Sequence, residues 1–146
     1  MKLPTCKDIN IYDSLEEIIA VEHFLGKSLE EAEKLFGQNS LYYQEDLMWM
    51  GPVAFRFYVQ SAIRYIQSEA ASGDSDMINC FADTLEFRLE HESQELQPVA
   101  VQLATICGYV LVNLDRFDVD AEIYDGIRDS YTLLQQSFDM ACRKAK

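Results

Sequence analysis

Apolar residues return every three or four positions almost throughout the chain, and no run alternates at period two for long enough to suggest a sheet. Asp13 or Ser14 is placed to cap a first helix, whose apolar residues Leu15, Ile18, Ile19 and Leu25 recur on one face until Gly26 ends it. Ser28-Leu29-Glu30-Glu31 has capping-box spacing, in which Ser28 and Glu31 satisfy each other's free amides. Leu29, Ala32 and Phe36 form the inward face of the short helix that follows, and Gly37 and Asn39 close it.

Leu41 to Met50 carries Leu41, Tyr42, Tyr43, Leu47, Met48, Trp49 and Met50, too many large side chains for one helix face. Gly51-Pro52 breaks the backbone, and Pro52 opens a helix predicted to run to about Ser72, where its missing amide costs nothing. Val53, Phe55, Phe57, Tyr58, Val59, Ala62, Ile63, Tyr65 and Ile66 make most of that helix apolar. Gly73-Asp74-Ser75-Asp76 reads as a turn and cap, followed by the stripe Ile78, Phe81, Ala82, Leu85 and Leu89. A second, uncharged helix is expected over 96–114, with Pro98 in its first turn. After a loop at Asp115 to Asp118, Asp120 caps a last helix with Ile123, Ile127, Tyr131, Leu134, Phe138 and Ala141 inward, which Gly126 weakens without ending.

The pattern therefore predicts an all-α fold: one helical domain over 1–146, a bundle of about six or seven helices. Two central apolar helices, about 52–72 and 96–114, are wrapped by amphipathic ones. At 146 residues and 49% hydrophobic, the chain can bury a core without metal or disulfide staples.

Charge narrows the partners. Twelve Lys and Arg against 25 Asp and Glu give a net charge of −13, divided −5 and −8 between residues 1–73 and 74–146. A nucleic-acid backbone would be repelled, and a basic partner attracted. The uncharged stretch Leu96 to Leu114 is nineteen residues long. It contains Gln97, Pro98, Gln102, Thr105 and Asn113, and is flanked by Glu95 and Asp115, so it reads as a core helix and no membrane partner is expected. Cys6, Cys80, Cys107 and Cys142 form no C-x-x-C pair. Cys80, Cys107 and Cys142 sit beside apolar helix positions and read as small buried hydrophobes in a reducing cytosol. The first residues lack the apolar stretch of a signal peptide, so a cytoplasmic location is expected.

The search for chemistry yields no metal, cofactor or catalytic residue. A dimetal carboxylate site in a bundle needs Glu-x-x-His pairs, but Ala20 precedes His23 by three residues and Arg88 precedes His91 by three. Asp118, Asp120 and Glu122 begin like a calcium loop, but Ile123 stands where the loop needs glycine. No glycine-rich phosphate loop or nucleophile elbow is present.

Three features stand out. Asp83, Glu86 and Glu90, extended by Glu92 and Glu95, form an acidic ridge on one helix side, either a solvated face or a docking surface for a basic protein. Tyr42, Tyr43 and Trp49 are core packing or an aromatic anchor patch for that partner. Arg56 and Arg64, on an otherwise apolar helix, belong to an internal ion-pair network with Glu45, Asp46 or the ridge, or hold an anion in a cleft.

The stretch Asp46-Leu47-Met48-Trp49-Met50-Gly51-Pro52-Val53-Ala54-Phe55-Arg56-Phe57-Tyr58-Val59-Gln60-Ser61-Ala62 resembles a motif of small bacterial proteins of unknown function. The motif has an apolar-aromatic lead, a small residue with proline, then Ala-Phe-Arg and an aromatic pair, commonly followed by proline. Gln60 replaces that proline here, so the helix should continue unkinked. In size and charge the chain is also similar to bacterial immunity proteins, which neutralise a basic toxin through a complementary surface. The function expected first is that of a non-enzymatic acidic interaction protein, an immunity or adaptor protein binding a basic partner such as a toxin. The alternatives are a helical enzyme or small-molecule binder with an inter-helix pocket, in which Arg56 or Arg64 holds an anionic group, and a structural homodimer joined through surplus apolar surface.

Overall fold

A computed structural model of the chain describes residues 2–120 and 126–144. All regular structure among them is helical. Seven α-helices follow in order: α1 Cys6–Ile9, α2 Leu15–Phe24, α3 Leu29–Trp49, α4 Pro52–Gln67, α5 Ser75–Glu92, α6 Ala100–Val112 and α7 Ile127–Lys144. Short 3₁₀ turns occupy Glu69–Ala71, Ser93–Val99 and Leu114–Phe117. The backbone gathers into two compact units, Met1–Ala71 and Ser72–Lys146.

In the first unit, hydrogen-bonding side chains decide where helices begin. Thr5 with Asp8, Ser14 with Glu17, and Ser28 with Glu31 form reciprocal capping boxes at the starts of α1, α2 and α3. The expected stop at Gly37 and Asn39 is instead a kink. Asn39 leaves helical geometry (φ −162°, ψ 83°), and its side-chain oxygen accepts the Tyr42 amide at 3.2 Å, so the helix is capped again and resumes. Gly51 donates its amide to the Ile9 carbonyl at 2.9 Å, and a Cβ there would lie 2.2 Å from the Asp8 carbonyl oxygen. Only glycine fits between α1 and the start of α4, which opens on Pro52 as the sequence predicts. The helix stops at Gln67, short of the expected Ser72, and gives way to the 3₁₀ turn.

α4 is the buried heart of this unit, with Phe55, Tyr58, Val59, Ala62 and Ile66 fully enclosed. The Tyr58 hydroxyl reaches the carbonyls of Phe24 (2.7 Å) and Lys27 (2.9 Å), and the Ser61 hydroxyl donates to the Leu29 carbonyl at 2.9 Å. These bonds tie α4 to the end of α2 and the start of α3.

The face of α2 requires a correction. Glu17, Ala20 and Phe24 are buried, while Leu15 is 69% exposed and Ile18 and Leu25 also face water. Glu17 decides the rotation: its carboxylate accepts the amides of Ile11, Tyr12 and Ser14 and the Ser14 hydroxyl, which fastens the α1–α2 loop from inside.

In the second unit the Asp74 side chain accepts the Met77 amide and starts α5, whose buried side holds Met77, Ile78, Phe81, Ala82, Thr84 and Leu85. Arg88 shares that side and is only 2% exposed, paired with Glu92 one turn on. The apolar helix expected from residue 96 begins at Ala100, because the chain around Pro98 is wound as a 3₁₀ turn. Its 13 residues span about 20 Å, short of the roughly 30 Å of a bilayer core. By length and composition alone, the wider stretch Ser75–Val112 does pass for a membrane-crossing segment.

α6 packs along α7, where Leu103, Ile106, Cys107 and Val110 are buried and so are Tyr131, Leu134 and Phe138. Val101 and Val112 stay exposed, so α6 is not covered all round as expected. Gly126 precedes α7 with φ +83°, and its carbonyl accepts the Ser130 amide at 2.9 Å, so it opens the helix and does not lie inside it. Ile123 and Glu122 fall outside the described residues. Of the cysteines expected inside, Cys107 is buried, whereas Cys80 and Cys142 are half-buried, and Cys6 is exposed.

Candidate functional site

The acidic ridge is displayed on the outer side of α5. Asp83, Glu86 and Glu90 recur at helical spacing and are all exposed, opposite the buried Ile78, Phe81, Ala82 and Leu85. Among the described residues no basic side chain forms an ion pair with any of the three. Glu92 does not extend the ridge, because it turns to the buried Arg88 guanidinium. Burial pulls the Arg88 pKa down, and Glu92 opposes that pull. Glu95 is exposed within the 3₁₀ turn that follows.

A second cluster forms in the first unit. Restarting α3 at Asn39 carries Tyr42, Tyr43 and Asp46 alongside His23 near the end of α2. His23 Nδ1 lies 2.6 Å from Asp46 Oδ2, and His23 Nε2 lies 3.2 Å from the Tyr42 hydroxyl. Ionised Asp46 can only accept, so Nδ1 carries the proton; in the neutral ring Nε2 is then free to accept from Tyr42. The rings of His23, Tyr42 and Tyr43 sit 5.0 Å apart in every pair, in tilted or edge-on geometry that holds the imidazole in place. Asp46 is buried, His23 half-buried and Tyr42 exposed, so the relay runs from the interior outward. Burial pushes the Asp46 carboxyl up to about 6, against the opposing hydrogen bond and charge of His23.

The aromatic residues singled out in the sequence therefore divide. Tyr42 and Trp49, seven positions apart on one helix face, are exposed. Tyr43 is half-buried against His23 and Phe24, and Met50 belongs to the core. Arg64 is exposed and Arg56 half-buried, so burial does not force Arg64 into an internal ion pair. The deeply buried arginine is Arg88, which sequence spacing placed next to the Ala82-Leu85-Leu89 stripe without marking it as inward. Its i, i+4 relation to Glu92 was the available signal.

A groove of 620 Å³ opens between the 3₁₀ turn Ser93–Val99, α6 and the end of α7, floored by Leu96, Ala100 and Phe138 and lined by no charged side chain among the described residues. Among the described residues no group of three or more His, Cys, Asp or Glu side chains is arranged to hold a metal ion. Compared with protein-family models, curated proteins and solved structures, the chain matches none of them.

Proposed function

We propose that this chain is a non-enzymatic interaction protein of the immunity or adaptor kind, which binds a basic protein partner, such as a toxin, through the α5 ridge. The observation that carries the reading is the exposure of Asp83, Glu86 and Glu90, onto which no cation is drawn among the described residues. Like charges one turn apart on a helix cost a few tenths of a kcal/mol, and a basic partner would convert that cost into attraction and faster encounter. The exposed Tyr42 and Trp49 would supply the aromatic anchor expected from the sequence, if the partner reaches the first unit.

Capture from the native host, with bound proteins quantified by mass spectrometry, tests the reading. D83N/E86Q/E90Q is compared with D13N/E16Q/E30Q, which removes as many charges from exposed sites in the first unit. Loss of a salt-sensitive basic protein from the first variant alone supports the proposal. Equal capture by both variants, or no salt dependence, rejects it.

Self-association is the second reading. It is favoured by the unexpected outward stripe of Leu15 and Ile18 on α2 and Leu25 just after it. Sedimentation across a hundredfold range of concentration, comparing the wild type with L15S/I18S, decides it: a dimer that the variant dissolves supports this reading, and a monomer throughout removes it.

A further inference from the structure

We propose that Tyr42 is a nucleophile, a surface phenol that accepts an acyl group from an uncharged activated ester while His23 takes its proton and Asp46 holds the imidazole. The inference goes beyond the binding function proposed above and does not rest on the α5 ridge. Carboxylate, imidazole and hydroxyl stand in the order in which a hydroxyl is made reactive: 2.6 Å from Asp46 to Nδ1 and 3.2 Å from Nε2 to the phenol oxygen. Each group also has the surroundings its part requires. Asp46 is buried and so holds the ring firmly, whereas Tyr42 is 51% exposed and open to an incoming reagent. Tyr42 and Tyr43 pack against the imidazole and against each other, and the Asn39 cap fixes the turn of α3 that presents the phenol.

Charge selects the substrate class. Glu22 and Glu45, chain neighbours of His23 and Asp46, are both exposed, and the whole chain carries −13. Phosphoryl and other anionic donors are repelled from such a surface, which leaves neutral acyl donors. In the reaction the phenol proton passes to Nε2 as the Tyr42 oxygen bonds to the acyl carbon. The ester C–O bond then breaks, and the departing oxygen takes the proton from the imidazolium. The protein keeps an O-acyl tyrosine, the imidazole returns to its neutral form, and no oxidant, reductant or metal takes part.

Tyr12 provides an internal control, because it is 85% exposed and lacks a histidine partner among the described residues. Wild-type protein is treated with p-nitrophenyl acetate, and acetylation of Tyr42 and Tyr12 is followed by peptide mass spectrometry. Tyr42 should react about a hundredfold faster than Tyr12 or more, the lower end of what a positioned base contributes, and the ratio should fall to about one in concentrated urea. H23Q should cut the Tyr42 rate about a hundredfold and leave Tyr12 unchanged. D46N should do the same, because its amide can donate to Nδ1 and so place the ring proton on Nε2. The inference is overturned if native Tyr42 reacts no faster than Tyr12, or if a folded H23Q keeps the wild-type ratio. Circular dichroism reports folding, and should both variants unfold, the native-to-urea ratio of the wild type decides alone.

Discussion

A carboxylate removed from water persists only where donors surround it, and Glu17 is met by three backbone amides and a hydroxyl. Burial pushes its pKa up, but the hydrogen bonds from Ile11, Tyr12 and Ser14 outweigh burial and leave it below the ordinary 4.5. A lowered folded value means that Glu17 stabilises the fold above the unfolded pKa and loses this effect as pH falls through the folded one. E17Q should therefore cost about 1–3 kcal/mol near pH 7 by urea unfolding, with the gap closing in acid. Asp46 has the opposite sign. Its carboxyl, raised from 3.8 to about 6, keeps its proton longer when folded, so ionising it costs stability as pH rises across that interval. Relative to the wild type, D46N should gain roughly 2–3 kcal/mol between acid and neutral pH, read from unfolding curves at each pH. The sequence offered Asp46 as one member of an internal ion-pair network with Arg56 and Arg64, but neither its pairing with His23 nor the burial of Glu17 was legible there. A first-turn acid such as Glu17 carries no mark of burial in the sequence, and the His23–Asp46 contact joins residues 23 positions apart that only the packing of α2 on α3 brings together.

At the scale of the element, what could be read locally was read well. Ser14, Ser28 and Asp74 cap helices where spacing put them, and Gly51-Pro52 opens α4, because each signal acts within one turn of chain. Faces and ends were harder. The apolar count along α2 pointed to Leu15 and Ile18, but the demand for a hydrogen-bonding carboxylate turned that side outward. Asn39 carried a stop signal that the chain satisfied with a kink, since its side chain supplied a new cap at once. The junction of α1 and α4 makes a sharp prediction: a methyl group at residue 51 meets the Asp8 carbonyl at 2.2 Å and Ile11 Cγ1 at 2.8 Å. G51A should lower unfolding free energy by about 1–3 kcal/mol or more, because carbonyl and side chain must both move, and thermal melting checks it.

Across the whole chain, net charge was legible at once and its placement was not. The two units carry −5 and −8, and in the second no cation among the described residues pairs with the ridge of Asp83, Glu86 and Glu90, while Glu92 is diverted to Arg88. Spacing revealed the ridge, but the burial of Arg88, which takes Glu92 away from it, depended on tertiary packing. Site-specific photocrosslinking in the native host tests the central claim most directly. A photoreactive residue replaces Glu86 on the ridge or, as a control, Glu30 on α3, both exposed. A discrete adduct with a basic protein from position 86 and none from position 30 is the predicted result. Adducts of equal yield from both positions, or none from position 86, would contradict it.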